Sequence, residues 1–119
     1  MKKYFAVLLV LLSLSCTVTL LVKTDPEYAT VYADGRNCGK SPIELTYNVT
    51  KDDQARGYVL TDTVTARWLS GATTKERIKV NCKTNEVQEY TLIRPTDFPN
   101  VDIDAKYVQE KTKKQIEVK

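Results

Sequence analysis

Residues 20–42 read LLVKTDPEYATVYADGRNCGKSP. An apolar run enters, and Asp25-Pro26 breaks it, because proline fixes φ and has no N–H to lend to a ladder. Tyr28–Ala33 is short and rich in β-formers, with Ala29, Val31 and Ala33 on one face and Tyr28, Thr30 and Tyr32 on the other. Asp34-Gly35 then gives the strongest hairpin signal in the chain. Gly39 offers a second position free of side-chain strain, and Lys40-Ser41-Pro42 leads into Ile43–Val49, where Ile43, Leu45 and Tyr47 alternate with polar neighbours. This reads as consecutive short antiparallel strands.

The same pattern continues on both sides. Upstream, Val18, Leu20 and Val22 share a face. Downstream, Lys51–Arg56 reads as a polar loop or a single helical turn, and Tyr58–Leu60 is a brief apolar run. Thr61–Leu69 alternates, Gly71 makes a turn, and Thr74–Cys82 alternates with Ile78, Val80 and Cys82 inward. Val87–Arg94 follows, ended by Pro95, and Val101–Val108 alternates once more. The expected fold is all-β: a small antiparallel sandwich or partly open barrel of about seven short strands, with Trp68 and several tyrosines in its core. Gln109–Lys119 reads as a solvated tail or frayed helix, and a basic contact to anionic lipid or wall polymer is the sharper alternative.

The amino terminus needs a different explanation. Lys2-Lys3 precede the unbroken apolar run Ala6–Leu12, then Ser13-Leu14-Ser15 and Cys16. A charged start, a short apolar stretch and small residues form the layout of an export signal, too short to read as a spanning helix. Ser13–Cys16 resembles the lipobox of bacterial lipoproteins: small Ser15 precedes the cysteine, and Ser13 stands where an aliphatic residue is usual. That resemblance implies cleavage before Cys16 and acylation of its sulfur and amine. Several acyl chains, at about 0.8 kcal/mol per buried CH₂, would hold a small domain on a membrane. The expected division is a signal over residues 1–15, a lipidated terminus and short tether over 16–19, a β-domain over 20–108 and a charged tail over 109–119. Losing residues 1–15 removes Lys2 and Lys3 and lowers the net charge from +3 to +1, which argues against a nucleic-acid partner.

Three cysteines are an odd number for an exported chain. With Cys16 acylated, Cys38 and Cys82 remain, and an oxidising compartment would allow them to pair. The bridge would close a loop of about 43 residues, worth roughly 4 kcal/mol by chain entropy. The chain has no histidine, and its thiols lie far apart in sequence, so neither a metal nor another cofactor is expected.

Residues 35–41, GRNCGKS, invite comparison with a phosphate-binding loop. That motif has one more residue between its first glycine and Gly-Lys-Ser and opens a helix, whereas Pro42 here opens a strand-like run. The better likeness uses Asp25-Pro26, Thr30–Tyr32, Asp34, Gly35, Gly39, Lys40, Ser41, Pro42 and Ile43–Leu45. Leu21–Leu45 resembles the PEGA-type repeat of bacterial surface proteins, with Tyr28 where the name-giving glycine would stand. The resemblance implies a small β-module in an exported or lipid-anchored protein, and no catalysis.

Without histidine, Ser-His and Cys-His nucleophile pairs are excluded. The acidic pairs Asp52-Asp53 and Asp102/Asp104 read as solubilising, and no enzyme activity is expected. The functional expectation is a lipid-anchored cell-envelope protein, in the outer membrane if the source is Gram-negative, whose β-domain binds an envelope protein or polymer. Two alternatives stand beside it: a small surface-exclusion or inhibitor lipoprotein of the kind carried by mobile elements, and a soluble periplasmic protein should Cys16 escape acylation.

Overall fold

A computed structural model describes residues 16–118, with side chains as far as residue 114. The expected export signal therefore lies outside the described residues. Among these, nine strands and two helices follow in order: β1 (Thr17–Asp25), β2 (Thr30–Ala33), β3 (Arg36–Lys40), β4 (Ile43–Asn48), α1 (Lys51–Arg56), β5 (Tyr58–Leu60), β6 (Val64–Arg67), β7 (Thr73–Glu76), β8 (Lys79–Asn81), β9 (Gln88–Ile93) and α2 (Val101–Val118). They form three sheets, ordered β4-β1-β9, β3-β2-β6-β7 and β5-β8, in a small sandwich-like fold without a closed barrel.

β1 is the central strand of its sheet because both its edges are used. It pairs antiparallel with β4, Thr17 opposite Asn48 through Val22 opposite Ile43. It pairs parallel with β9, Leu20 opposite Gln88 through Asp25 opposite Ile93. Its alternation is real: Val18, Leu20, Val22 and Thr24 are buried. Val18, Leu20 and Val22 meet Val31, Val64, Ala66, Trp68, Ile78, Val80 and Leu92 in one core. Full burial of each Val, Leu or Ile contributes about 1.5–3 kcal/mol. Trp68 is in this core as expected, whereas the tyrosines stay at its margin; half-buried Tyr47 packs against it, and desolvation pushes its phenol up to about 12.

Several elements differ from the sequence reading. The strand expected over Thr74–Cys82 is two strands in different sheets. Thr61 makes the corner: its N–H donates to the Ile78 carbonyl (2.9 Å), and its hydroxyl accepts from the Ile78 N–H (2.9 Å). The Arg77 guanidinium donates to the Thr61 carbonyl at 3.0 Å and holds the turn. Lys51–Arg56 is a helix, closed at its start by a capping box in which Thr50 Oγ1 accepts from the Asp53 N–H (3.1 Å) and Asp53 Oδ2 accepts from the Thr50 N–H (2.9 Å). Gly57, at φ 90°, ends it.

The largest correction is α2. Val101–Val108 is not a strand, and the tail beyond it is the same helix. The alternation had placed Val101 and Ile103 inside, but they are 51% and 41% exposed, while Asp104 is 2% exposed. The less exposed positions, Asp104, Tyr107, Val108 and Lys111, recur at helical spacing. β1 starts at Thr17, within the stretch 16–19 expected as a lipidated terminus and tether.

Candidate functional site

The conspicuous sequence motif builds a turn. Asp34 and Gly35 have φ 53° and 72°, as a two-residue type I′ hairpin requires, and they join β2 to β3. The Asp34 carboxyl shares a hydrogen bond with Asp62, and that bond, with the like charge, raises its pKa above the usual value of 3.8. On the return, Val31 faces Gly39 and Tyr32 faces Asn37, so Cys38 is the extra residue of a bulge. Gly39, at φ 104°, provides the backbone the bulge needs, and its N–H donates to Asn37 Oδ1 at 2.8 Å. Lys40 Nζ donates to Thr30 Oγ1 at 3.0 Å and lies 5.4 Å from the centre of the Tyr107 ring on α2.

Ser41 does more than precede Pro42. Its hydroxyl lies 2.5 Å from Thr24 Oγ1 and accepts from the Tyr28 N–H at 3.0 Å. Thr24 Oγ1 donates to the Pro26 carbonyl at 2.8 Å and is approached by the Ala29 N–H at 3.4 Å. Each hydroxyl has one proton. Thr24 gives its proton to Pro26, so Ser41 gives its own to Thr24. The chain Ser41→Thr24→Pro26 is thereby ordered, and Trp68 Nε1 completes it by donating to the Pro26 carbonyl at 2.7 Å. Tyr28 sits at φ 69°, the conformation glycine would take most easily. The peptide bonds Asp25–Pro26 and Ser41–Pro42 are both cis.

A cleft of about 320 Å³ opens beside this network, with Lys23, Glu27, Pro42 and Thr91 in its wall. Lys23 is held by Glu89 at 3.1 Å. Ser41 is spent on Thr24 and the Tyr28 N–H, and the carboxylates of Asp25 and Glu27 also line the cleft. Among the described residues no cluster of three potential metal ligands occurs.

The structure does not show the expected Cys38–Cys82 bridge; all three cysteines are free in it. Cys38 is in the β3 bulge with its sulfur 3.6 Å from the Arg36 carbonyl. Cys82 lies beside α1 with its sulfur 3.3 Å from the Asp53 carbonyl. Cys16 is exposed, and it is part of the fold: its carbonyl accepts from the Val49 N–H at 3.0 Å, and Gln54 Nε2 lies 3.9 Å from its sulfur.

One buried cluster was not anticipated. Arg94 Nε donates to Asp104 Oδ2 at 2.5 Å, and both side chains are out of solvent. The other four guanidinium N–H groups go to the carbonyls of Pro95 and Phe98 (both 3.0 Å), the carbonyl of Pro99 (2.6 Å) and Ser70 Oγ (3.2 Å). Ser70 also gives its N–H to Asp104 Oδ1 (2.9 Å) and its hydroxyl to Asp104 Oδ2 (2.7 Å). Burial alone would raise the Asp104 pKa, but the bonds from Ser70 and Arg94 and the Arg94 charge outweigh it and hold the carboxyl below its usual range. The arrangement ties the 95–100 loop and the start of α2 to the β6–β7 turn. A signal for it was present: Leu92 is inward on β9, and a period of two puts Arg94 inward as well.

No curated protein and no solved structure matches the chain. The PEGA domain family matches residues 17–52, from the first residue of β1 into α1, and so contains the hairpin, the bulge and the Thr24–Ser41 network. This chain therefore carries a PEGA-like β-module at residues 17–52.

Proposed function

We propose that this protein is a lipid-anchored component of the bacterial cell envelope, non-catalytic, whose β-domain binds another envelope component. The observation that carries the reading is the placement of Cys16. It is the residue before β1, its thiol is exposed, and its backbone is bonded into the module that the PEGA family matches. Acyl chains on that sulfur would leave the domain unperturbed and held close to the bilayer. The export-signal layout and the lipobox-like residues before Cys16 support the same reading. Absence of an aspartate at Thr17 favours the outer membrane in a Gram-negative source. The sandwich, with its hydroxyls committed to structure, suits a binding module better than an enzyme.

The test is the intact mass of the protein isolated from cell membranes. A mass equal to residues 16–119 plus a diacylglycerol and an acyl chain is the expected result. A mass that retains residues 1–15 without lipid, or a cleaved chain without lipid, refutes the anchoring. Crosslinking in intact envelopes then identifies the partner, and an envelope with no crosslinked partner argues against a binding role.

A further inference from the structure

Three cations gather around Gly57 and Tyr58, at the end of the helix whose Gln54 reaches Cys16. The Arg56 guanidinium lies 5.4 Å from the centre of the Tyr58 ring and Lys79 Nζ lies 5.0 Å from it. Lys83 runs over Gly57, where a Cβ would come within 3.0 Å of its Cε. All three cationic side chains are exposed. Arg56 pairs with Asp53, but neither Lys79 nor Lys83 has a carboxylate partner among the described residues. The acidic groups on the adjoining helix are Asp52 and Asp53, and Asp53 is already committed to Thr50 and Arg56.

The location follows from the chain path. Gln54 reaches the Cys16 sulfur from α1, a helix about 9 Å long at 1.5 Å per residue, and Arg56 and Tyr58 lie at its far end. Because β1 begins at Thr17, no flexible linker separates an acylated Cys16 from these residues. α2 starts elsewhere: the Arg94 N–H bonds the Asp25 carbonyl at the opposite end of β1, about 30 Å away at 3.3 Å per residue. Lys111, the first lysine of the charged tail, lies over the Tyr107 ring, as does Lys40, whose neighbour Ser41 contacts Thr24 at the Asp25 end of β1; it is at the wrong end of the domain for this role, and the lysines around Gly57 and Tyr58 are at the right one.

We propose that Arg56, Tyr58, Lys79 and Lys83 form a surface that rests on the anionic phosphate headgroups of the anchoring bilayer, an inference that builds on the acylation of Cys16. Uncompensated cations supply the charge complement, and the tyrosine supplies a ring with one apolar and one polar end suited to the headgroup layer. Each uncompensated cation at an anionic surface contributes about fivefold in affinity, so Lys79 and Lys83 together contribute about twenty-five-fold. The consequence is a fixed orientation, with the Pro26, Arg94 and α2 end presented away from the membrane.

Amine acetylation of the membrane-purified protein in vesicles tests this. On phosphatidylcholine with phosphatidylglycerol, Lys79 and Lys83 should label several-fold more slowly than on phosphatidylcholine alone, while Lys106 and Lys113 label equally on both. Equal rates for Lys79 and Lys83 would overturn the proposal. So would equal protection by inorganic phosphate on phosphatidylcholine vesicles, which would assign the cations to a soluble anion. The mass of the same preparation reports separately on Cys16. If Cys16 carries no lipid, anchoring fails, and the patch is judged by sedimentation of that lipid-free protein with phosphatidylglycerol vesicles. Retention that is lost in Arg56→Gln/Lys79→Gln/Lys83→Gln upholds the patch, and no retention rejects it.

Discussion

Asparagine in place of Asp104 keeps the shape of the side chain and leaves Arg94 buried without a counter-charge. All five guanidinium N–H groups are bonded in the native protein, one of them to Asp104 at 2.5 Å. In Asp104→Asn the amide can still accept from the Ser70 N–H, but its NH₂ would then face Arg94 Nε, donor against donor. Breaking one side of a buried pair costs about 3–5 kcal/mol. A domain of this size has a total stability of roughly 5–15 kcal/mol. At about 4–8 °C per kcal/mol, even the lower figure moves Tm down by roughly 12–24 °C. Urea unfolding followed by Trp68 fluorescence measures it, with Arg94→Met/Asp104→Leu as the companion variant, which should recover most of the loss because neither charge remains buried alone. The pH dependence gives a second check. The folded-state pKa of Asp104 is depressed, so its contribution is present above the unfolded value, about 3.9, and is lost as pH falls through the folded value. The gap between wild type and Asp104→Asn should therefore be constant at neutral pH and narrow below about pH 4. A gap under about 1 kcal/mol at pH 7, the range of a solvent-exposed pair, would refute the reasoning and mean that water reaches the bridge.

Other variants probe the module. Ser41→Ala removes the acceptor of the Tyr28 N–H and the donor to Thr24, and is expected to cost about 1–3 kcal/mol in urea unfolding. Gly35→Ala puts a side chain at φ 72° in open space, so the loss is conformational only, about 1 kcal/mol, and visible as a lower thermal midpoint. Asp62→Asn removes the like charge beside Asp34; the Asp34 carboxyl should then titrate closer to 3.8 by NMR. Because the raised folded pKa makes Asp34 more favourable at low pH and less so as pH rises through it, Asp62→Asn should gain stability at pH 7 relative to acid.

What was legible in the chain was local. The alternation of β1 and the Asp34-Gly35 turn need only near neighbours, and both occur where the residues point. β3 was hidden because RNCGK has no alternating apolar residues; it is a strand only because β2 lends it a partner, and the bulge at Cys38 uncouples it from any period of two. The break between β7 and β8 was hidden for a related reason. Ile78 and Val80 alternate correctly, but Thr61, seventeen positions before Ile78, takes both backbone groups of that residue and turns the chain into another sheet.

The misreading of residues 101–108 is the more instructive case, because sequence period alone could not decide it. Val101, Ile103, Ala105 and Tyr107 satisfy a strand, while Asp104, Tyr107, Val108 and Lys111 satisfy a helix. The two patterns share Tyr107 and differ over whether Asp104 faces in or out. An aspartate faces inward only if a cation waits there. Arg94 is that cation, the first residue after β9, placed on the same inner side as Leu92 by the period of two. The helix at the end of the chain was therefore encoded in a strand ten residues earlier. It could be read only by asking which buried arginine needed a carboxylate, and not from the periodicity of the helix itself.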